Sequence, residues 1–144
     1  MKFTLGFSPC PNDTFIFDAL VNQKIDTEGW TFDCVLQDVE ALNRGAIEAT
    51  LDISKVSYGV LPLLLESYDL LDAGSALGRG VGPLLITAEE NLKRPVEEYL
   101  IAIPGENTTA HLLFSLAYPK AYNKIFLRYD EIEQFVQDGK GLGV

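Results

Sequence analysis

Four short segments carry the side chains best suited to chemistry, and all are rich in small polar residues. They are Ser8-Pro9-Cys10-Pro11-Asn12-Asp13-Thr14, Ser54-Lys55-Val56-Ser57-Tyr58, Gly74-Ser75-Ala76-Leu77-Gly78-Arg79-Gly80 and Asn107-Thr108-Thr109-Ala110. The second and fourth each precede an apolar, helix-like run. The first amides of a helix have no intrahelical acceptor and can receive an anionic oxygen. Ser57 adds a hydroxyl donor to the second segment, and Lys55 adds a point charge. In the fourth, the Thr109 and Ala110 amides stand beside the Thr108 and Thr109 hydroxyls. Taken singly, each segment reads as an ordinary helix cap. Facing one shared cleft, they would read as a ligand site. The third segment has Gly-x-Gly but lacks the full dinucleotide fingerprint and leads into a strand, and no Walker A sequence occurs. Its glycines suit a tight turn or a close approach.

The remaining candidates are weaker. Asp13 either caps the helix that follows or faces a cleft and bonds a substrate hydroxyl. Asn43 sits beside Arg44 on a helix, where an Asn is ordinarily solvated. His111 is the only histidine and so must be weighed as a general base. No Ser or Cys motif places it in a triad, and the reading preferred is a partly exposed helix residue. Cys34 alternates with Phe32 in a strand-like run and is expected to be buried. Cys10 lies in a proline-flanked turn and reads as a small packing residue, with a reactive thiol as the alternative. One His and two separated Cys offer no familiar zinc spacing, so no metal site is expected. The acidic pairs Glu89-Glu90 and Glu97-Glu98 and the Asp130-Glu131-Glu133 group read as solvated surface.

The elements that must position these residues alternate between strand and helix. Strands are predicted over residues 3–7, 30–36, 51–54, 70–73, 83–87, 100–103 and 124–129, with a further strand beginning at 141–144. Helices are predicted over 14–22, capped by Asn12 or Asp13, and over 38–49, capped by Asp38. Further helices are predicted over 56–67, where Pro62 should kink or restart the chain, and over 108–118 and 130–138. The apolar faces of the first two are Phe15, Ile16, Ala19 and Leu20, and Val39, Leu42, Ala46 and Ile47. Alternation through short connections indicates an α/β fold with mainly parallel sheets. A strand, proline-containing turn and small-polar helix start occur at residues 7–14 and again at 103–109, as expected of two lobes built alike. The boundary is placed in the charged stretch after Thr87. That makes residues 1–87 the first lobe, 88–98 a connector and 99–144 a partial second lobe. A second unit of about 45 residues buries little surface, so the chain reads as unfinished.

Composition narrows the function classes. Nearly half of the 144 residues are hydrophobic, which supports a core and excludes a disordered chain. A formal charge of −10 argues against nucleic acid as a partner. No apolar run is long enough to span a bilayer and no signal peptide is evident, so no membrane partner is expected and the reading is cytoplasmic.

The segment Gly6-Phe7-Ser8-Pro9-Cys10-Pro11-Asn12-Asp13-Thr14-Phe15-Ile16-Phe17 resembles the opening signature of the 1,4-dihydroxy-6-naphthoate synthases of the futalosine route to menaquinone. Similar matches follow at Asp38-Val39-Glu40-Ala41-Leu42-Asn43-Arg44, at Lys55-Val56-Ser57-Tyr58, along Gly74 to Leu84 and at Pro104-Gly105-Glu106-Asn107-Thr108-Thr109-Ala110. The likeness covers essentially the whole chain and is to the N-terminal half of such enzymes. It implies a type II periplasmic-binding-protein-like fold, with two α/β lobes around a cleft and the second lobe incomplete here. It implies conversion of cyclic dehypoxanthine futalosine to 1,4-dihydroxy-6-naphthoate with release of a fragment, without metal or organic cofactor. Substrate contacts would fall on Lys55, Val56 and Ser57 and on Thr109 and Ala110, with Asp13 and Asn43 as further cleft residues. The family's proton-abstracting histidine would lie beyond Val144, so no catalytic residue is assigned and His111 does not inherit the role. The family usually has Thr at the position of Ser54. The leading expectation is therefore a truncated synthase that is inactive alone. The alternatives are a non-catalytic module binding a small carboxylate, and homo-oligomers that pair incomplete lobes.

Overall fold

The computed structural model describes residues 1–90 and 92–144. They form two compact units, Met1–Leu77 and Gly78–Val144. The division falls ten residues before the boundary read from sequence, because Leu85 and Ile86 join the hydrophobic clusters of the second unit. Asn91, within the predicted connector, lies outside the described residues.

The first unit is built on β1 (Lys2–Phe7), the middle strand of a parallel sheet in the order β2-β1-β3. β2 (Thr31–Leu36) runs alongside in the register Lys2↔Thr31 to Phe7↔Leu36. β3 (Ile53–Ser54) pairs as Leu5↔Ile53 and Gly6↔Ser54. Parallel neighbours need crossovers, which helices supply. α1 (Pro11–Val21) follows β1, and α2 (Val39–Ile47) joins β2 to β3. Asp38 caps α2 as expected, its Oδ1 accepting the Glu40 and Ala41 amides at 3.0 and 3.1 Å. Leu42 and Ala46 of α2 are buried. A Cβ at Gly6 would stand 2.6 Å from Leu51 Cδ1 and 2.8 Å from Leu42 Cδ2, so glycine lets α2 approach the sheet.

α1 begins earlier than the sequence suggested. Pro11 takes the first helical position, where its missing N–H costs nothing. Cys10 becomes the N-cap in an extended conformation without a side-chain cap bond, and Asn12 and Asp13 fall inside the first turn. The expected apolar face is open at Phe15, which is 84% exposed. Residues 56–67 do not form an α-helix. Only a 3₁₀ turn, Tyr58–Leu63, forms around Pro62, which lacks the amide that would continue a longer ladder. Residues 70–73 form no strand, and Leu70 and Leu71 stand exposed. Cys34 is also exposed rather than buried, because it lies on the edge strand β2.

The second unit repeats the plan. β4 (Ile101–Ile103) is the middle strand in the parallel order β5-β4-β6, with β5 (Lys124–Phe126) and β6 (Leu142–Gly143) on either side. α3 (Thr109–Ala117) and α4 (Tyr129–Gln137) are the crossovers. Successive side chains of a strand point to opposite faces. Ile101 and Ile103 thus pack with Val96, Tyr99, Phe114 and Leu142, while Ala102 packs with Ile132, Phe135 and Val136 of α4. Residues 83–87 are not the buried strand predicted. Ile86 alone makes an antiparallel bridge, to Gly143, and Leu84 is exposed. Among the described residues from 88 to 98, Val96–Glu98 forms a 3₁₀ turn. No helix of the described residues is long and apolar enough to cross a membrane.

Candidate functional site

In parallel α/β sheets, ligands bind beyond the carboxyl ends of the strands. In the first unit those ends deliver Ser8 after β1 and Lys55 after β3. The Lys55 amide donates to the Gly6 carbonyl at 2.8 Å, extending the pairing of the two strands by one bond. Asp13, on the first turn of α1, closes the gap between them. Its Oδ2 accepts the Ser8 amide at 3.2 Å and the Ser8 hydroxyl at 2.7 Å, and its Oδ1 accepts the Lys55 ammonium at 3.0 Å. Asp13 is only 6% exposed. Burial opposes its ionisation, but the hydrogen bonds from Ser8 and Lys55 and the lysine charge outweigh it. The carboxyl is therefore held below the usual aspartate range. Both oxygens are engaged within the protein, so Asp13 neither caps α1 nor offers an unengaged oxygen to a substrate hydroxyl.

Asn43 departs furthest from its sequence reading. It is 0% exposed, where a solvated helix-surface residue was expected. It lies between Leu42 and Ala46 on the buried face of α2, and it turns its carboxamide on Ser57. Asn43 Oδ1 accepts the Ser57 amide at 2.9 Å, and Nδ2 donates to Ser57 Oγ at 3.2 Å. The amide read as available to an anion is thus taken. The hydroxyl oxygen is an acceptor in this pair, which leaves the Ser57 proton to be donated elsewhere. Val56 is half-buried and packs against the cluster of Ala46, Val60 and Leu64. Beside them the Ser54 Oγ is buried without a hydrogen-bond partner among the described residues. The signal for Asn43 was present in the helical stripe Val39, Leu42, Ala46, because residue 43 falls on the same face.

In the second unit, Thr108 is the N-cap of α3 and is buried. Its Oγ1 accepts the His111 amide at 3.2 Å and donates to the Gly105 carbonyl at 2.8 Å, which exhausts the hydroxyl proton. Thr109 and Ala110 occupy the first two helical positions and are half-buried. The Leu112 amide is closed onto the Thr108 carbonyl at 3.1 Å. Of the first-turn amides, that of Ala110 is left without an acceptor among the described residues. His111 is half-buried. Its Nδ1 lies 2.7 Å from the Glu106 carbonyl, its Nε2 lies 3.1 Å from Lys124 Nζ, and its ring meets the edge of Phe126.

Both cysteines are free. Although Cys34 is exposed, slight desolvation by its neighbours, reinforced by the Asp33 charge, pushes its thiol up, which disfavours the thiolate. Cys10 is half-buried and its amide points at Ser8 Oγ at 3.4 Å, as part of the turn that Asp13 organises. Among the described residues no group of three or more His, Cys, Asp or Glu could hold a metal ion.

Comparison with known proteins agrees on one lineage. The chain is 43% identical over 136 residues to a 1,4-dihydroxy-6-naphtoate synthase of Thermus thermophilus, matching 94% of this chain and 48% of that protein. It is 40% identical over 141 residues to the protein of the same name from Streptomyces coelicolor, matching 94% of this chain and 49% of that one. The crystal structure of an Archaeoglobus fulgidus protein superposes with a TM-score of 0.90 at 32% identity, covering 99% of this chain and 52% of that one. The chain thus spans about half the length of the relatives it matches. The model of a family described as menaquinone biosynthesis matches residues 3–144, and the chain belongs to that family.

Proposed function

We propose that this chain supplies part of a 1,4-dihydroxy-6-naphthoate synthase acting in menaquinone biosynthesis, and that its units are lobes of a type II periplasmic-binding-protein-like fold. The substrate is cyclic dehypoxanthine futalosine, as the resemblance implies. The names of the relatives support the reading, and so does the chemistry of the strand ends. A naphthoate carries a carboxylate and so calls for donors. The first unit presents Ser57 with a hydroxyl proton not used toward Asn43 and Lys55 with ammonium hydrogens beyond the one given to Asp13. Within the second unit, the start of α3 at Thr109 and Ala110 offers helix-terminal donors of its own.

The observation that carries this reading is the pair of hydrogen bonds between Asn43 and Ser57. A fully buried carboxamide that holds both the amide and the hydroxyl of one serine makes that hydroxyl a preorganised donor. Asn43 and Asp13 are then positioning residues, and Ser57 and Lys55 touch the ligand. Calorimetry with 1,4-dihydroxy-6-naphthoate tests this directly. The chain should bind saturably, and Ser57→Ala should weaken binding about tenfold, the worth of one hydrogen bond to a charged group. Absence of saturable heat, or an unchanged constant in the variant, would overturn the proposal.

A further inference from the structure

Most cations of this acidic chain are matched to a carboxylate. Lys2, Lys24, Arg44, Lys55, Arg128 and Lys140 each form an ion pair. Lys124 of β5 is half-buried and has no carboxylate in ion-pair range among the described residues. Its contacts are to neutral groups of α3: Ser115 Oγ at 2.8 Å, His111 Nε2 at 3.1 Å and the Phe114 ring at 5.7 Å. His111 and Ser115 are four residues apart and share one helix face.

The hydrogen bonds define the donors that remain. A backbone carbonyl only accepts, so His111 Nδ1 carries the ring proton toward Glu106 and Nε2 offers its lone pair to Lys124. Ser115 Oγ accepts from Lys124, and its own proton has no acceptor among the described residues. A lysine ammonium has three hydrogens, and two are committed here. One ammonium hydrogen and one hydroxyl hydrogen are left on heavy atoms 2.8 Å apart, with a full positive charge behind them. A charge taken partly out of water without a counter-charge is costly. The arrangement is also held in place, since the His111 ring is fixed by the Glu106 carbonyl on one side and Phe126 on the other.

We propose that Lys124 and Ser115, oriented by His111, form a binding site for a small oxyanion, a carboxylate or phosphate group, on the face shared by α3 and β5. This site shares no residue with the Ser57 and Lys55 donors. The experiment is a magnetic-resonance titration of the full chain, isotope-labelled, with inorganic phosphate in one arm and acetate in another. Chloride holds ionic strength constant and serves as the blank. The His111 ring and Lys124 ammonium resonances should shift saturably in at least one arm, and the responding arm names the anion. Ser115→Ala should weaken that binding about tenfold, and Lys124→Gln should abolish it. Ser115→Ala retains the lysine and its packing, so it reports even where Lys124→Gln fails to fold. Ser57→Ala should leave the titration unchanged, which lets this site and the naphthoate site fail separately. Shifts that match the chloride blank in both arms, or a wild-type constant in Ser115→Ala, would overturn the proposal.

Discussion

The two units share a plan and differ in how they tie down the loops beyond their strand ends. Each has a middle strand flanked by the next two, in the orders β2-β1-β3 and β5-β4-β6. Each admits its second helix over a glycine: Gly6 under Leu42 of α2, and Gly143 under Ile132 and Val136 of α4. The polar chemistry then diverges. In the first unit the loops are clasped from a distance, Lys55 by Asp13 across 42 residues of sequence and Ser57 by Asn43 across 14. In the second unit Thr108 closes its turn with Gly105 and His111, each three residues away. A long-range clasp sets a side chain only when the whole unit has folded, whereas a local cap needs one turn. The first unit therefore stakes the geometry of its candidate site on its global stability.

The largest test of that difference is Asn43→Ala. It removes the partner of two Ser57 groups and leaves a void, and should cost about 3 kcal/mol in urea denaturation. Glu133 stands at the matching place in α4, five residues after the N-cap, but is exposed. Glu133→Ala should change stability by less than about 0.5 kcal/mol, and equal losses at the two positions would erase the contrast. Asp13→Asn should cost about 2 kcal/mol at neutral pH, because Lys55 loses its charged partner. The pH dependence has a definite sign. Asp13 is depressed in the folded state relative to about 3.9 in the unfolded chain. Its contribution is thus complete above the unfolded value and is lost as pH falls through the folded one. Denaturation midpoints across that acid range should fall more steeply for the native chain than for Asp13→Asn. Thr108→Ala should cost about 1 kcal/mol, with Thr108→Ser recovering most of it in the same assay. The smallest contrast lies between two caps. Asp38→Ala should cost about 1 kcal/mol through its two amide bonds. Arg128→Ala should cost a few tenths by thermal melting, because there the cap amide is held by Glu131 instead.

Much of the frame was legible in the residues. Most of the alternating elements, the Asp38 cap, the Thr108 start of α3 and the repeated strand-turn-helix motif depend on neighbours within a few positions, and these are observed in the structure. The errors have separate causes. Residues 70–73 and 83–87 are apolar enough for strands, but a strand needs a partner, and only Ile86 finds one. Cys34 alternates as a half-buried residue should, yet β2 is an edge strand and leaves it open. Pro11 was read as part of a turn because its neighbours are also breakers, although a first helical position suits it.

Local chemistry in the sequence determined which segments could present donors: Ser57, Lys55, Thr109 and Ala110 follow strands and open turns or helices. What only the tertiary structure decided was the state of those donors. The burial of Asn43, the commitment of both Asp13 oxygens and the meeting of Lys124 with His111 and Ser115 arise between elements far apart or on different faces. A hydrogen bond has direction and short reach, so its existence follows from packed coordinates and not from residue type or spacing.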